Sequence, residues 1–142
     1  MPKSGQKTPD LERRSDCPLN IALEVFGDSW TLLIIRDLLF KQYSTFKDFQ
    51  QSREGIASNI LADRLRKLVQ GGFIEAERSD EDRRVVHYRP TPKGLDLAPV
   101  LISMMAWTDK HEKHCVPKKQ MRRMIHHSEA VIAEIVEQFE GV

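Results

Sequence analysis

The feature that most constrains this chain is a change of hydrophobic period at residues 71–73. Upstream, in GIASNILADRLRKL, Ile60, Leu61, Leu65 and Leu68 recur at the spacing of one helical face. That helix runs into Gly71, Gly72 and Phe73. A glycine there can take the left-handed closing position while the phenylalanine folds back on the last turn. The pattern then becomes extended. FIEAER reads as a strand, SDEDRR as a polar turn, and VVHYR as a returning strand rich in β-branched and aromatic residues.

The segments ahead of this junction read as three helices. Pro18 suits a first helical turn, and LNIALEVF places Leu19, Ala22, Leu23 and Phe26 on one side before Gly27 ends it. Asp28 or Ser29 then caps WTLLIIRDLLF, whose nearly all-round apolar character predicts burial on most sides; Arg36 and Asp37 are expected to face out or pair. Thr45 and Asp48 form a capping-box pattern for a third helix of about two turns carrying Phe46 and Phe49. SREGI is a turn.

Beyond the hairpin, Thr91 and Pro92 start a fifth helix expected to reach about His114, with Leu97, Leu101, Met104, Met105 and Trp107 among its apolar residues. After Pro117, Met121, Ile125, Ser128, Ile132, Ile135 and Phe139 alternate four and three apart, the seam of one helix packed on a partner.

A short helix, a turn and a longer helix make a helix-turn-helix, and the hairpin directly after it makes a winged helix. The fold class is therefore mainly α with a small β-hairpin: a winged helix-turn-helix with C-terminal dimerisation helices. Residues 1–16 are expected to be a flexible arm, 17–92 the winged helix-turn-helix DNA-binding domain, and 93–142 the C-terminal helical dimerisation region.

This order gives the polar side of the longer helix a purpose. A polar face opposite an apolar stripe is usually only a solvated surface, and 22 basic against 21 acidic residues offer no general attraction to nucleic acid. In a winged helix, however, that face enters the major groove. There Asn59 suits adenine, Arg66 suits guanine, and small Ala62 allows close approach or meets a thymine methyl. Asp63 accepts from cytosine or holds Arg66 or Lys67, while Ser58 and Lys67 suit phosphates. At the hairpin tip Arg83 and Arg84 are candidate phosphate or minor-groove contacts, with the three neighbouring acids expected to face away. Arg64 falls near the apolar arc and reads as structural or flanking.

With these stretches in place the chain resembles the HxlR-type family of winged-helix transcriptional regulators. The resemblance is carried by CPLNIALEVFGDSWTLLIIRDLL, FKDF, GIASNILADRLRKL, GGFIEAE, HYRPTPKG and LAPVLISMMAW, roughly Cys17 to His114. It implies a dimeric DNA-binding regulator, with the recognition helix within 55–70 and the wing at 79–84. GDSW departs from the family's glycine-rich run before the tryptophan, and the helix after Pro117 extends beyond the family core. The resemblance also draws attention to Cys17, because some members use a cysteine at this position to sense oxidants or electrophiles. A helix N-terminus lowers a thiol's pKa, which gives that use a physical basis. Cys17 and Cys115 are thus candidate redox sensors; the plain alternative is a thiol packed beside Pro18.

The expectation is a cytoplasmic homodimer that binds double-stranded DNA at an inverted-repeat operator, a repressor by preference, responsive to a small-molecule or oxidant effector. The alternative is a winged helix used for protein contact. No cofactor or metal is expected: His111, His114 and Cys115 lie close in sequence, but without the spacing of known metal sites. Met104, Met105 and Trp107 read as interface rather than effector cavity. An enzyme is not expected, since there is no glycine-rich phosphate loop and no assignable nucleophile-base set. No apolar run approaches the roughly 18 residues of a membrane span.

Overall fold

A computed structural model describes residues 12–140. Five of the residues assigned to the arm are therefore described, and 1–11 lie outside. The described residues form α1 (Pro18–Phe26), α2 (Thr31–Phe40), α3 (Phe46–Phe49), α4 (Ser58–Gln70), β1 (Ile74–Arg78), β2 (Val86–Pro90), α5 (Pro92–Leu95), α6 (Ala98–His111), α7 (Lys118–His126) and α8 (Ser128–Glu140). No single helix among them is long and apolar enough to cross a membrane.

Local chemistry explains most of these bounds. Pro18 opens α1. Asp28 reaches forward to accept from the backbone N–H groups of Trp30 and Thr31 and from Thr31 Oγ1, so it caps α2 from two residues outside. The capping box is present in both directions at Thr45 and Asp48, although α3 is one turn rather than the two expected. The end of α4 is a Schellman motif. Phe73 N–H donates to Leu68 O, Gly72 N–H donates to Val69 O, and Gly72 takes the left-handed conformation at φ 80°.

Strands β1 and β2 pair antiparallel, from Ile74 opposite Pro90 to Arg78 opposite Val86. The segment before α3 adds a third edge that the sequence reading missed: Thr45 bridges His87, and Tyr88 N–H donates to Ser44 O at 2.7 Å. This ties the hairpin to the start of the helix-turn-helix.

The C-terminal helices differ from expectation. The fifth helix is two helices, because Pro99 lacks an N–H and serves in the first turn of α6 after a break at Asp96 and Leu97; α6 ends at His111, short of His114. The helix after Pro117 is also two, broken at His127, where ψ is 38°. Its buried residues are Met121 and Met124 on α7 and Val131 and Ile135 on α8. These are two short stripes rather than one long seam. Folding back lets both pack around α6.

One apolar cluster joins α2, α3, α4, β1, α5, α6, α7 and α8. Residue 92, the boundary assigned between the DNA-binding and C-terminal regions, is the first residue of α5, and the core runs across it.

Candidate nucleic-acid interface

Helix α4 sits on the core through Leu61, Leu65 and Leu68, all nearly inaccessible to solvent, with Ile60 only half-buried. Burying one leucine side chain contributes roughly 1.5–3 kcal/mol, so this stripe fixes which side of α4 faces outward. Both ends are also held. At the entry, Gly55 turns the chain at φ 71°, Ile56 is buried, and Gln50 Nε2 donates to Ser58 Oγ at 3.0 Å. Arg36 on α2 forks onto Glu54, both contacts at 2.8 Å. At the exit, Lys93 Nζ donates to Gly71 O at 2.8 Å and lies 4.5 Å from the centre of the Phe73 ring, while Thr91 Oγ1 donates to Gly72 O at 2.6 Å.

The outward arc carries the residues read from the sequence. Ser58, Asn59, Ala62, Arg66 and Lys67 are exposed, and Asp63 is half-buried at one side of the arc. Val69 and Gln70 share this face and are exposed too. The helical period was enough to find the first six; Val69 and Gln70 were not singled out from the sequence.

Asp63 resolves toward holding cations. It accepts from Arg66 Nη2 at 2.5 Å and Arg64 Nη1 at 2.7 Å, with Lys67 Nζ at 3.3 Å. Arg64 in turn donates through Nε to Asp28 at 2.9 Å, joining α4 to the corner ahead of α2.

Two of the three wing acids, Asp80 and Asp82, do not face away from the arginines, contrary to expectation. Arg84 donates to both carboxylate oxygens of Asp82 at 3.0 Å, and Arg83 Nη1 lies 3.6 Å from Asp80. A tight turn with acids two and three residues before the arginines makes these contacts local and sterically easy. Exposed, solvent-screened pairs of this kind hold weakly, so both guanidinium groups can exchange them for phosphate.

Two carboxylates in this framework are strongly shifted. Partial burial of Asp28 disfavours its charge, but bonds from Thr31, Arg64 and the Trp30 and Thr31 amides outweigh it, lowering its pKa from 3.8 to about 2. Glu54 is lowered from 4.5 to about 2, chiefly by Arg36. Both are depressed in the folded state. Their stabilising contributions are therefore complete above the unfolded values and lost as pH falls through the folded ones. Thermal unfolding midpoints should drop between pH 4.5 and 2, and the slope should be shallower in Asp28→Asn and Glu54→Gln. Parallel curves for all three proteins would show that these carboxylates do not govern the acid limb.

Cys17 is exposed at the N-cap of α1, not packed away beside Pro18, and the Asn20 and Leu19 amides lower its pKa from the ordinary thiol value. Arg14 is committed to Glu24. Cys115 is exposed as well. Among the described residues, no three His, Cys, Asp or Glu side chains gather as metal ligands would. His114 accepts at Nδ1 from the Val116 N–H, which leaves Nε2 to donate to Asp109 at 2.6 Å.

Comparison with known proteins bears directly on this arrangement. The HxlR-like helix-turn-helix family matches residues 25–115, from the last two residues of α1 to just past α6, and leaves out α7 and α8. The uncharacterised HTH-type transcriptional regulator Rv3095 of Mycobacterium tuberculosis is 35% identical over 91 residues, 63% of this chain and 56% of that protein. The match thus spans little more than half the length of such relatives. The HTH-type transcriptional regulator YodB of Bacillus subtilis is 33% identical over 95 residues, 66% of this chain and 84% of YodB. Among solved structures, PA1607 aligns with a TM-score of 0.64 at 37% identity, covering 73% of this chain and 75% of that one. Reduced YodB aligns with a TM-score of 0.56 at 31% identity, covering 68% and 95%. YodB has also been solved quinone-bound and diamide-treated.

Proposed function

This chain belongs to the HxlR-like helix-turn-helix family of transcriptional regulators, and from that premise we propose that it is a cytoplasmic homodimeric repressor that reads an inverted-repeat operator. The observation that carries the reading is the outward arc of α4. Directed donors and acceptors (Asn59, Arg66) and a small residue (Ala62) stand opposite a fully buried leucine stripe on a helix held at both ends. Major-groove reading needs such a rigid, close-approaching face. Ser58, Lys67, Arg83 and Arg84 supply phosphate contacts, which give affinity and register without sequence information.

Dimerisation is supported by the exposed apolar side chains. Leu19, Leu23 and Val25 on α1 and Met104 and Trp107 on α6 account for all but one of the large exposed hydrophobics among the described residues. Residues 93–142 thus supply part of the dimer contact, and α1 supplies the rest. Two recognition helices would then meet major grooves about one turn apart. Response to an oxidant or electrophile is supported by the exposed, acidified thiol of Cys17 and by the likeness to YodB, with Cys115 the second candidate.

Selection of bound duplexes from a random pool at near-physiological salt tests the reading, and enrichment of an inverted repeat is expected. On that operator, Arg66→Ala should cost roughly 1–3 kcal/mol of specific binding. Unchanged operator affinity removes Arg66 from the readers. Failure to enrich any sequence, with reduced and with oxidised protein, would leave the fold as a protein-contact module.

A further inference from the structure

We propose that Asp63 is a specificity-determining residue of α4, a carboxylate that aims Arg66 at a base edge while withholding Arg66 and Lys67 from indiscriminate phosphate contact. This rests on the DNA-reading role proposed above and concerns how that role discriminates.

The geometry is a chain of charges. Asp28 is fixed by the backbone at the start of α2 and by Thr31. It takes Nε of Arg64, whose Nη1 reaches Asp63, and Asp63 takes Nη2 of Arg66 with Lys67 3.3 Å away. Asp63 is therefore not a free surface acid. Its orientation is fixed through Arg64, which acts as the positioning residue, to a corner of the chain 35 residues away in sequence.

Two consequences follow. Asp63 takes one hydrogen of Arg66 Nη2 and is the guanidinium's one acceptor among the described residues, so Nη2 keeps a second hydrogen for a fork with Nη1 or Nε. A guanidinium held along one side and open along another is pre-organised for the paired O6 and N7 acceptors of guanine. The carboxylate also stands on the groove-facing side of the helix, beside the cations that would otherwise neutralise phosphates. Non-specific affinity comes from such neutralisation, so an anion placed there lowers the background against which an operator is found. A helix carrying Arg66 and Lys67 without Asp63 would bind any duplex more tightly and distinguish duplexes less well.

The test compares wild-type protein with Asp63→Asn, which keeps the shape and removes the charge. Affinity is measured across a salt series on the selected operator and on a random-sequence duplex of equal length, and each protein is also put through the random-pool selection. Asp63→Asn should bind the random duplex several-fold more tightly. Its log-affinity against log-salt slope on that duplex should steepen by about 0.9 for each cation freed. The operator-to-random ratio should fall, and the base preference facing Arg66 should broaden. In an Arg66→Ala background the same change should no longer broaden that preference, which separates aiming of Arg66 from a general loss of structure. Asp63→Ala is the second variant, with the same expected direction, should the amide fail to fold. Unchanged salt slope and unchanged discrimination in a folded Asp63 variant overturn the proposal. A wild-type protein that enriches no sequence overturns the DNA-reading role itself and is a distinct result.

Discussion

Gly94→Ala should destabilise the folded chain by about 3 kcal/mol, the upper part of the range for forced overpacking. Helix propensity alone predicts the opposite sign, because alanine in place of a helical glycine is favourable by up to about 1 kcal/mol. Packing decides the matter. A Cβ on Gly94 would stand 2.2 Å from the carbonyl oxygen of Phe73. That oxygen cannot yield easily, since it accepts from both the Thr91 N–H and Thr91 Oγ1 at the point where α4 passes into β1. Relief must come from parting α5 from the end of α4, which also pulls on Lys93 and its bond to Gly71 O. Gly72→Ala is the useful comparison: it meets no atom but sits at φ 80°, so its cost is dihedral, about 1–2 kcal/mol. Chemical denaturation of the three proteins gives the order. Gly94→Ala as stable as wild type would mean that α5 moves away freely and does not brace α4.

Much of this architecture was legible because local signals and global packing agree. The capping box at Thr45, the close of α4 at Gly72 and Phe73, and the turn from helical to alternating pattern all act within a few residues. Each is visible in a short window. The two breaks in the C-terminal region were not. Pro99 was a usable signal, but the apolar residues on either side kept helical spacing and suggested continuity. At His127 there is no glycine or proline to see. The break exists because α6 offers a surface that Met121 and Met124 approach from one helix and Val131 and Ile135 from another, a tertiary demand with no local mark.

The site divides in the same way. Positions on α4 followed from the 3.6-residue period, and Asp63 at three and four residues before Arg66 and Lys67 is a spacing at which helical neighbours meet. The bond between Asp28 and Arg64 depends on how the corner before α2 is folded against α4, which no window of sequence contains. The departure at GDSW gains a physical role from it. Asp28 is at once the cap of the buried helix and the far anchor of α4, so a change in the α1–α2 corner reaches the outward side chains of α4.

Arg36→Ala should cost about 3 kcal/mol of stability, since removing one partner of a buried ion pair strands the other. Asp37 is 1% exposed in the middle of α2, an apolar helix against which α6 packs. Its carboxylate accepts from Arg36 Nε at 2.9 Å, and Lys41 Nζ is 3.6 Å away and half in solvent. Without the guanidinium, Lys41 Nζ at 3.6 Å is the one cation left beside that charge among the described residues. Asp37→Asn in the Arg36→Ala background should therefore recover part of the loss, because an uncharged amide is cheaper to bury than an unpaired carboxylate. The same guanidinium also forks onto Glu54 and lies 3.3 Å from Ser52 Oγ, so its loss frees the turn that leads into α4. Glu54→Gln alone keeps the Asp37 pair. It should lose at pH 7 the stabilisation that the depressed Glu54 carboxylate contributes, less than Arg36→Ala loses, while weakening operator binding as the entry angle of α4 loosens. Denaturation midpoints and operator affinities for the four proteins separate these two roles of Arg36. Arg36→Ala within 1 kcal/mol of wild type would mean that Asp37 finds another donor when α2 relaxes. Glu54→Gln with full operator affinity would mean that Gly55, Ile56 and the leucine stripe fix the recognition helix without the fork.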